Sequence, residues 1–154
     1  MKAKTGTGTA SKTTSAAEPG PVPTLFSIVE APTHPRLSDL YRRLGLAEMR
    51  LPSQRKAIQA LKRVTPAWVV AEFFYGFGNN YAGANVSNLD VFLSSLQKHA
   101  PAARVIVLVA PDQARYVPLL AARFPLHAVL TQPVRATAME TILHAPDAAT
   151  AAPA

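Results

Sequence analysis

Apolar and polar residues follow one another in blocks along the chain, and most blocks read as single elements. Leu25 to Val29 is a short apolar run rich in β-formers that stops at Glu30-Ala31-Pro32, the pattern of a buried strand. Pro35 stands where a helix can begin, and Leu37, Leu40, Tyr41 and Leu44 then recur at helical spacing up to Gly45, a helix stop. Glu48 to Leu51 predicts a second, weaker strand. Ser53 predicts the cap of a helix through Val64, with Ala57, Ile58, Leu61 and Val64 facing inward and basic residues facing outward.

The run Ala67-Trp68-Val69-Val70-Ala71-Glu72-Phe73-Phe74 follows Pro66 and is apolar almost throughout, so it predicts a strand buried on both faces. Ser87 with Asp90 three residues later forms a capping signature, and Leu89, Phe92, Leu93 and Leu96 mark one face of the helix that His99-Ala100-Pro101 ends. Arg104 to Val109 is another continuous apolar strand. Tyr116, Val117, Leu119, Leu120 and Phe124 predict a helix kinked or restarted by Pro118. His127 to Thr131 predicts a last short strand, and Arg135 to Leu143 a closing helix.

Five strands alternating with five helices, two of the strands apolar throughout, predict an α/β fold. Its form is a doubly wound five-stranded parallel sheet in a three-layer, flavodoxin-like sandwich of strand order 2-1-3-4-5. In such sheets chemistry gathers beyond the carboxyl ends of the strands. The residues there are Glu30-Ala31, Glu72, Val109-Ala110 and Gln132-Pro133.

Composition sets the limits of this body. Residues 1–24 are mostly Thr, Ser, Ala, Gly, Lys and Pro without an aromatic, and 144–154 lack bulky side chains. Both are expected to be disordered tails around a domain at 25–143. No apolar run approaches the roughly 20 residues of a membrane span, and the first residues lack the apolar core of a secretory signal. The absence of cysteine excludes disulfides, thiolate catalysis and Cys-ligated metal sites and fits a reducing, cytoplasmic setting. Catalytic signatures are missing as well: there is no G-x-x-x-x-G-K-[ST], G-x-S-x-G or H-E-x-x-H. The four histidines, at 34, 99, 127 and 144, have no metal-ligand spacing and read as solvated or packed imidazoles. No enzyme activity, cofactor or metal is expected.

The net charge of +7 changes the picture only through its position. Between Arg36 and Arg63 eight basic residues face only Asp39 and Glu48, while the rest of the body is neutral. Arg42, Arg43, Arg55, Lys56, Lys62 and Arg63 are the candidate basic patch, on the outward faces of two helices. An acidic protein is the expected partner. A nucleic acid is the alternative, bound weakly and salt-sensitively because no reader motif accompanies the charge.

With the strand ends in view, the chain resembles the CheY-like receiver domain of two-component response regulators over nearly all of the body. The residues that carry the resemblance are Ile28-Val29-Glu30-Ala31, where that family has an apolar run and two acids, and Pro66 to Glu72, where its strand ends in the phosphoacceptor aspartate. Val105 to Val109 matches the strand that ends there in Thr or Ser, and Leu130-Thr131-Gln132-Pro133 matches Lys-Pro. The resemblance implies a degenerate phosphoacceptor pocket of Glu30, Ala31, Glu72, Val109, Gln132 and Pro133, with the 132–133 peptide cis. Each departure removes chemistry. Glu72 places its oxygens differently from an aspartate, Ala31 leaves one acid in place of two for Mg²⁺, Val109 has no hydroxyl and Gln132 has no charge. Mg²⁺ binding is expected to be lost or weak, and Glu30 and Glu72, with no lysine between them, to repel each other.

The segment after Glu72 lacks the family's Met-Pro and is rich in aromatic, glycine and asparagine residues. Phe74, Tyr75, Phe77 and Tyr81, with Tyr116, are the partner-binding candidates. The expected function is that of a stand-alone pseudo-receiver acting through protein contacts in signalling. The alternatives are a basic nucleic-acid-associated protein and an atypical receiver that still binds phosphate or a small ligand near Glu72. Trp68, four residues before Glu72, is expected to report events at the pocket by its fluorescence.

Overall fold

A computed structural model of the chain describes residues 22–76 and 85–144. The expected tails lie outside the described residues except for Val22 to Thr24 and His144, and Phe77 and Tyr81 lie outside them too. Five strands, β1 (Thr24–Ile28), β2 (Ala47–Leu51), β3 (Trp68–Glu72), β4 (Arg104–Val109) and β5 (Ala128–Thr131), alternate with α1 (Ser38–Arg43), α2 (Gln54–Leu61), α3 (Asp90–His99), α4 (Val117–Ala121) and α5 (Ala136–His144). The strands form one sheet in the order β2-β1-β3-β4-β5, parallel throughout. This is the predicted 2-1-3-4-5 arrangement.

The alternation of side chains along each strand divides the core between the two faces of the sheet. Phe26 and Ile28 of β1, Val69 and Ala71 of β3 and Val105, Val107 and Val109 of β4 pack under α2, α3 and α4. Leu25, Trp68, Val70, Ile106 and Leu108 face the other way and pack with Leu40 and Tyr41 of α1 and Met139 and Leu143 of α5. Gly45 closes α1 at φ +79°, a backbone conformation in which a side chain would be strained.

Several boundaries differ from the sequence expectation, among them the end of α2 at Leu61 rather than Val64, and three have a local reason. The third strand stops at Glu72 rather than Phe74, because the Phe74 N–H leaves the ladder and donates to Asn88 Oδ1 at 2.8 Å. Only half of the expected capping box forms, the Ser87 N–H donating to Asp90 Oδ1 at 2.7 Å, for Ser87 Oγ accepts from the Leu89 N–H at 3.0 Å instead and α3 begins at Asp90 with no side-chain cap. The stretch around Pro118 is a 3₁₀ turn (Pro111–Tyr116) followed by a five-residue α4. The proline lies in the first turn of α4, where its missing N–H has no partner to lose. Such a short helix buries Val117 and Leu120 but leaves Leu119 50% exposed.

Candidate functional site

β1 and β3 are neighbours at the centre of the sheet, so the loops leaving their carboxyl ends meet there. The loop after β1 turns at once, with the His34 N–H donating to the Ala31 carbonyl at 3.1 Å. This turn brings Thr33 and His34 to Glu72, which is 1% exposed at the end of β3. His34 Nδ1 lies 2.9 Å from Glu72 Oε2 in a fully buried contact. Thr33 Oγ1 donates to Glu72 Oε1 at 3.2 Å, and the Glu30 N–H donates to Oε2 at 3.3 Å. A buried carboxylate persists only when it is paired and hydrogen-bonded, and here the chain itself supplies both. An ionised carboxylate can only accept, so against an ionised Glu72 it is Nδ1 that would carry the proton; His34 Nε2 is buried without a hydrogen-bond partner.

Glu30 does not confront Glu72 as expected. Its Oε1 accepts from Gln54 Nε2 at 2.9 Å and from Asn88 Nδ2 at 3.2 Å, so the two carboxylates are held by separate partners. Asn88 also donates to the Glu72 carbonyl at 2.8 Å and thereby joins the end of β3, Glu30 and the approach to α3. From the fifth strand, the Gln132 N–H donates to the Val109 carbonyl at 2.8 Å and its Nε2 to the Thr33 carbonyl at 3.3 Å. The Gln132–Pro133 peptide is cis. Val109 is wholly buried in the core under α2–α4 and contributes packing.

The donor set does not fit Mg²⁺. That ion requires near-octahedral oxygen ligands at about 2.0–2.1 Å, whereas both oxygens of Glu72 and one of Glu30 are already held by His34, Thr33, Gln54 and Asn88. Among the described residues no three His, Asp or Glu side chains cluster as metal ligands would.

The aromatics that were candidates for partner binding fall partly together. Tyr75, 44% exposed, stacks on Tyr116 with centroids 3.8 Å apart and planes 8° from parallel, and Arg115 lies 4.9 Å over the Tyr116 ring. The Tyr75 N–H donates to Gln113 Oε1 at 3.1 Å, which fixes the loop after β3 against the 3₁₀ turn. Phe74 is half-buried beside Asn88. Phe77 and Tyr81 lie outside the described residues.

Two expectations need correction. The basic residues do not form one patch: Arg42 and Arg43 belong to α1, while Arg55, Lys56, Lys62 and Arg63 belong to α2 and the turn after it, on the opposite face of the sheet. Sequence proximity concealed this because consecutive helices of a doubly wound sheet can alternate faces. Trp68 is not beside the pocket either, for four residues of strand place it about 13 Å from Glu72. At that far end its ring meets His127 edge-on with centroids 5.2 Å apart, under the Arg104 guanidinium.

Sequence reasoning missed His34 as the partner of Glu72. The usable signal was its place in the loop after the first strand, which the 2-1-3 order carries past the end of the third.

Fold and site together define a doubly wound α/β domain whose polar centre sits at its switch point. No protein-family model and no curated protein sequence matches the chain. Solved structures do match. A response regulator receiver domain from Clostridium thermocellum shares 16% identity at a TM-score of 0.58, over 79% of this chain and 91% of that one. A pilus assembly protein, CpaE, from Caulobacter crescentus shares 19% at 0.59, over 82% and 94%. An adenylate cyclase from Rhodopirellula baltica shares 10% at 0.60, over 79% and 84%. The fold of this chain is that of the response regulator receiver domain.

Proposed function

We propose that this chain is a pseudo-receiver: a signalling module, without enzyme activity, that works through protein contacts and accepts no phosphoryl group. One observation carries the reading. The carboxylate at the phosphoacceptor position is closed off by its own chain, through His34, Thr33 and the Glu30 N–H. In-line attack on a phosphoryl donor requires a carboxylate oxygen free to approach phosphorus, and here His34 would first have to leave. The neighbouring positions favour the same reading, since Gln132 offers an amide already turned to Thr33 and Val109 offers only hydrocarbon. Mg²⁺ binding is weak or lost, and the partner is another signalling protein. A cytoplasmic setting belongs to the same proposal; among the described residues no helix is long and apolar enough to cross a membrane. The match to an adenylate cyclase is one of fold, and a fold of this kind carries many functions.

The test is a titration with Mg²⁺ and beryllofluoride, a phosphoryl mimic, followed by amide and fluorine NMR. The expected result is no saturable change at Glu72, Thr33 or His34. Saturable binding that Glu72→Ala abolishes would overturn the proposal in favour of a receiver that still takes phosphate.

A further inference from the structure

The two basic helices hold their charge in different ways. On α1, Arg42 lies 2.8 Å from Asp39, and Arg43 lies 3.2 Å from Glu140 of α5. On α2 and the turn after it, Arg55, Lys56, Lys62 and Arg63 are exposed and form no ion pair among the described residues. At 3.6 residues per turn these four and Gln59 fall on roughly one third of the helix circumference. Arg55 and Lys56 occupy the first turn, where the free amide N–H groups favour negative charge, and no acidic residue accompanies them there. Folding gains nothing from cations in that place, so a partner is the better account of them.

Beside this stripe, between α2 and the start of α3, lies a cleft of about 500 Å³. Ile58 and Val91 supply its apolar wall, Val91 being 57% exposed, and Arg55 stands in its lining. Glu30 also lines it, its carboxylate tied to the Gln54 and Asn88 amides. A phosphate backbone laid here would meet hydrocarbon and a carboxylate. A polypeptide with acidic side chains along the stripe and one apolar side chain against Ile58 and Val91 would meet complementary groups there and would keep its own charge away from Glu30.

We infer that the α2 face, stripe and cleft together, docks an acidic polypeptide segment anchored by one apolar side chain. The inference rests on the reading of the chain as a protein-interaction module; Glu30 and Asn88 line the cleft and also touch Glu72, but the stripe and Val91 make no such contact among the described residues. Peptide binding and beryllofluoride binding therefore succeed or fail separately.

The experiment is fluorescence anisotropy on the full chain with three labelled probes: an Asp/Glu peptide with a central leucine, the same peptide with serine for leucine, and a short DNA duplex. The leucine peptide is expected to bind saturably and best, and to weaken as salt rises. Reversal of the stripe (Arg55→Glu, Lys56→Glu, Lys62→Glu, Arg63→Glu) lowers its affinity roughly tenfold or more. Val91→Ser lowers it severalfold, and Arg42→Ala with Arg43→Ala leaves it unchanged. All these side chains are exposed, and an unchanged amide spectrum verifies the fold of each variant. The inference is overturned if the leucine peptide shows no saturable binding, if the α1 variant loses as much as the α2 variant, or if DNA binds more tightly and Val91→Ser has no effect. The last outcome assigns the face to nucleic acid.

Discussion

The carboxyl end of β3 and the outer face of α2 treat charge in opposite ways. At the first, a carboxylate sits in the interior with its oxygens engaged by Thr33, His34 and a backbone amide. At the second, four cations stand in solvent with no carboxylate among the described residues to meet them. The difference separates a group fitted to its own chain from groups left for something else. At the end of β3 the charge is met by groups of the same chain, and on α2 it is met by solvent.

Removal of one member of the buried pair is the most severe test of the contrast. His34→Leu leaves the Glu72 carboxylate buried without its partner and is expected to cost about 3–5 kcal/mol in urea denaturation. His34→Leu combined with Glu72→Met should recover most of that loss, because a well-packed apolar pair avoids desolvating charge. A single-variant cost below about 1 kcal/mol would put the contact in the class of exposed ion pairs, and the contrast would fail.

On α2 the sign reverses. Arg55→Glu and Lys56→Glu place acids at the positive end of the helix, and each is expected to raise stability by about 0.3–1 kcal/mol, read as an increase in Tm. Unchanged or lower stability would mean that these cations do serve the fold.

The smallest effect belongs to His127, which lies between the two extremes. Burial, and then the Arg104 guanidinium, hold its imidazole below the ordinary 6.5. The folded protein thus favours the neutral ring, while the unfolded chain takes up a proton near 6.5, so stability falls as pH drops through 6.5 toward the folded value. Denaturation of the parent chain and of His127→Phe across that range should show a steeper loss for the parent. Parallel profiles would remove His127 from the account.

Much of the architecture was legible in the sequence because periodicity and burial are local. The runs at 25–29, 67–74 and 104–109 favoured strands by their length and bounding turn residues, and their alternation with amphipathic helices made a doubly wound sheet the leading architecture. The cis peptide at 132–133 came through resemblance to a family rather than through physics. The contacts of the site were not legible, because they depend on how three loops arrive at one place. Nothing in the spacing of His34 and Glu72 marks them as partners, and Asn88 looked like any loop asparagine. The basic patch shows the reverse error, in which a stretch continuous in sequence is divided by the sheet.

His34 and Glu72 are 38 residues apart in the chain, and that separation is also an interval of time. A ribosome that adds about 5–20 residues per second emits the histidine roughly two to eight seconds before the glutamate. During that interval neither β3 nor Glu72 exists, and His34 has no carboxylate of that strand to meet. The contact closes only after the third strand has arrived. It therefore records the moment at which the nascent sheet acquires its central strand.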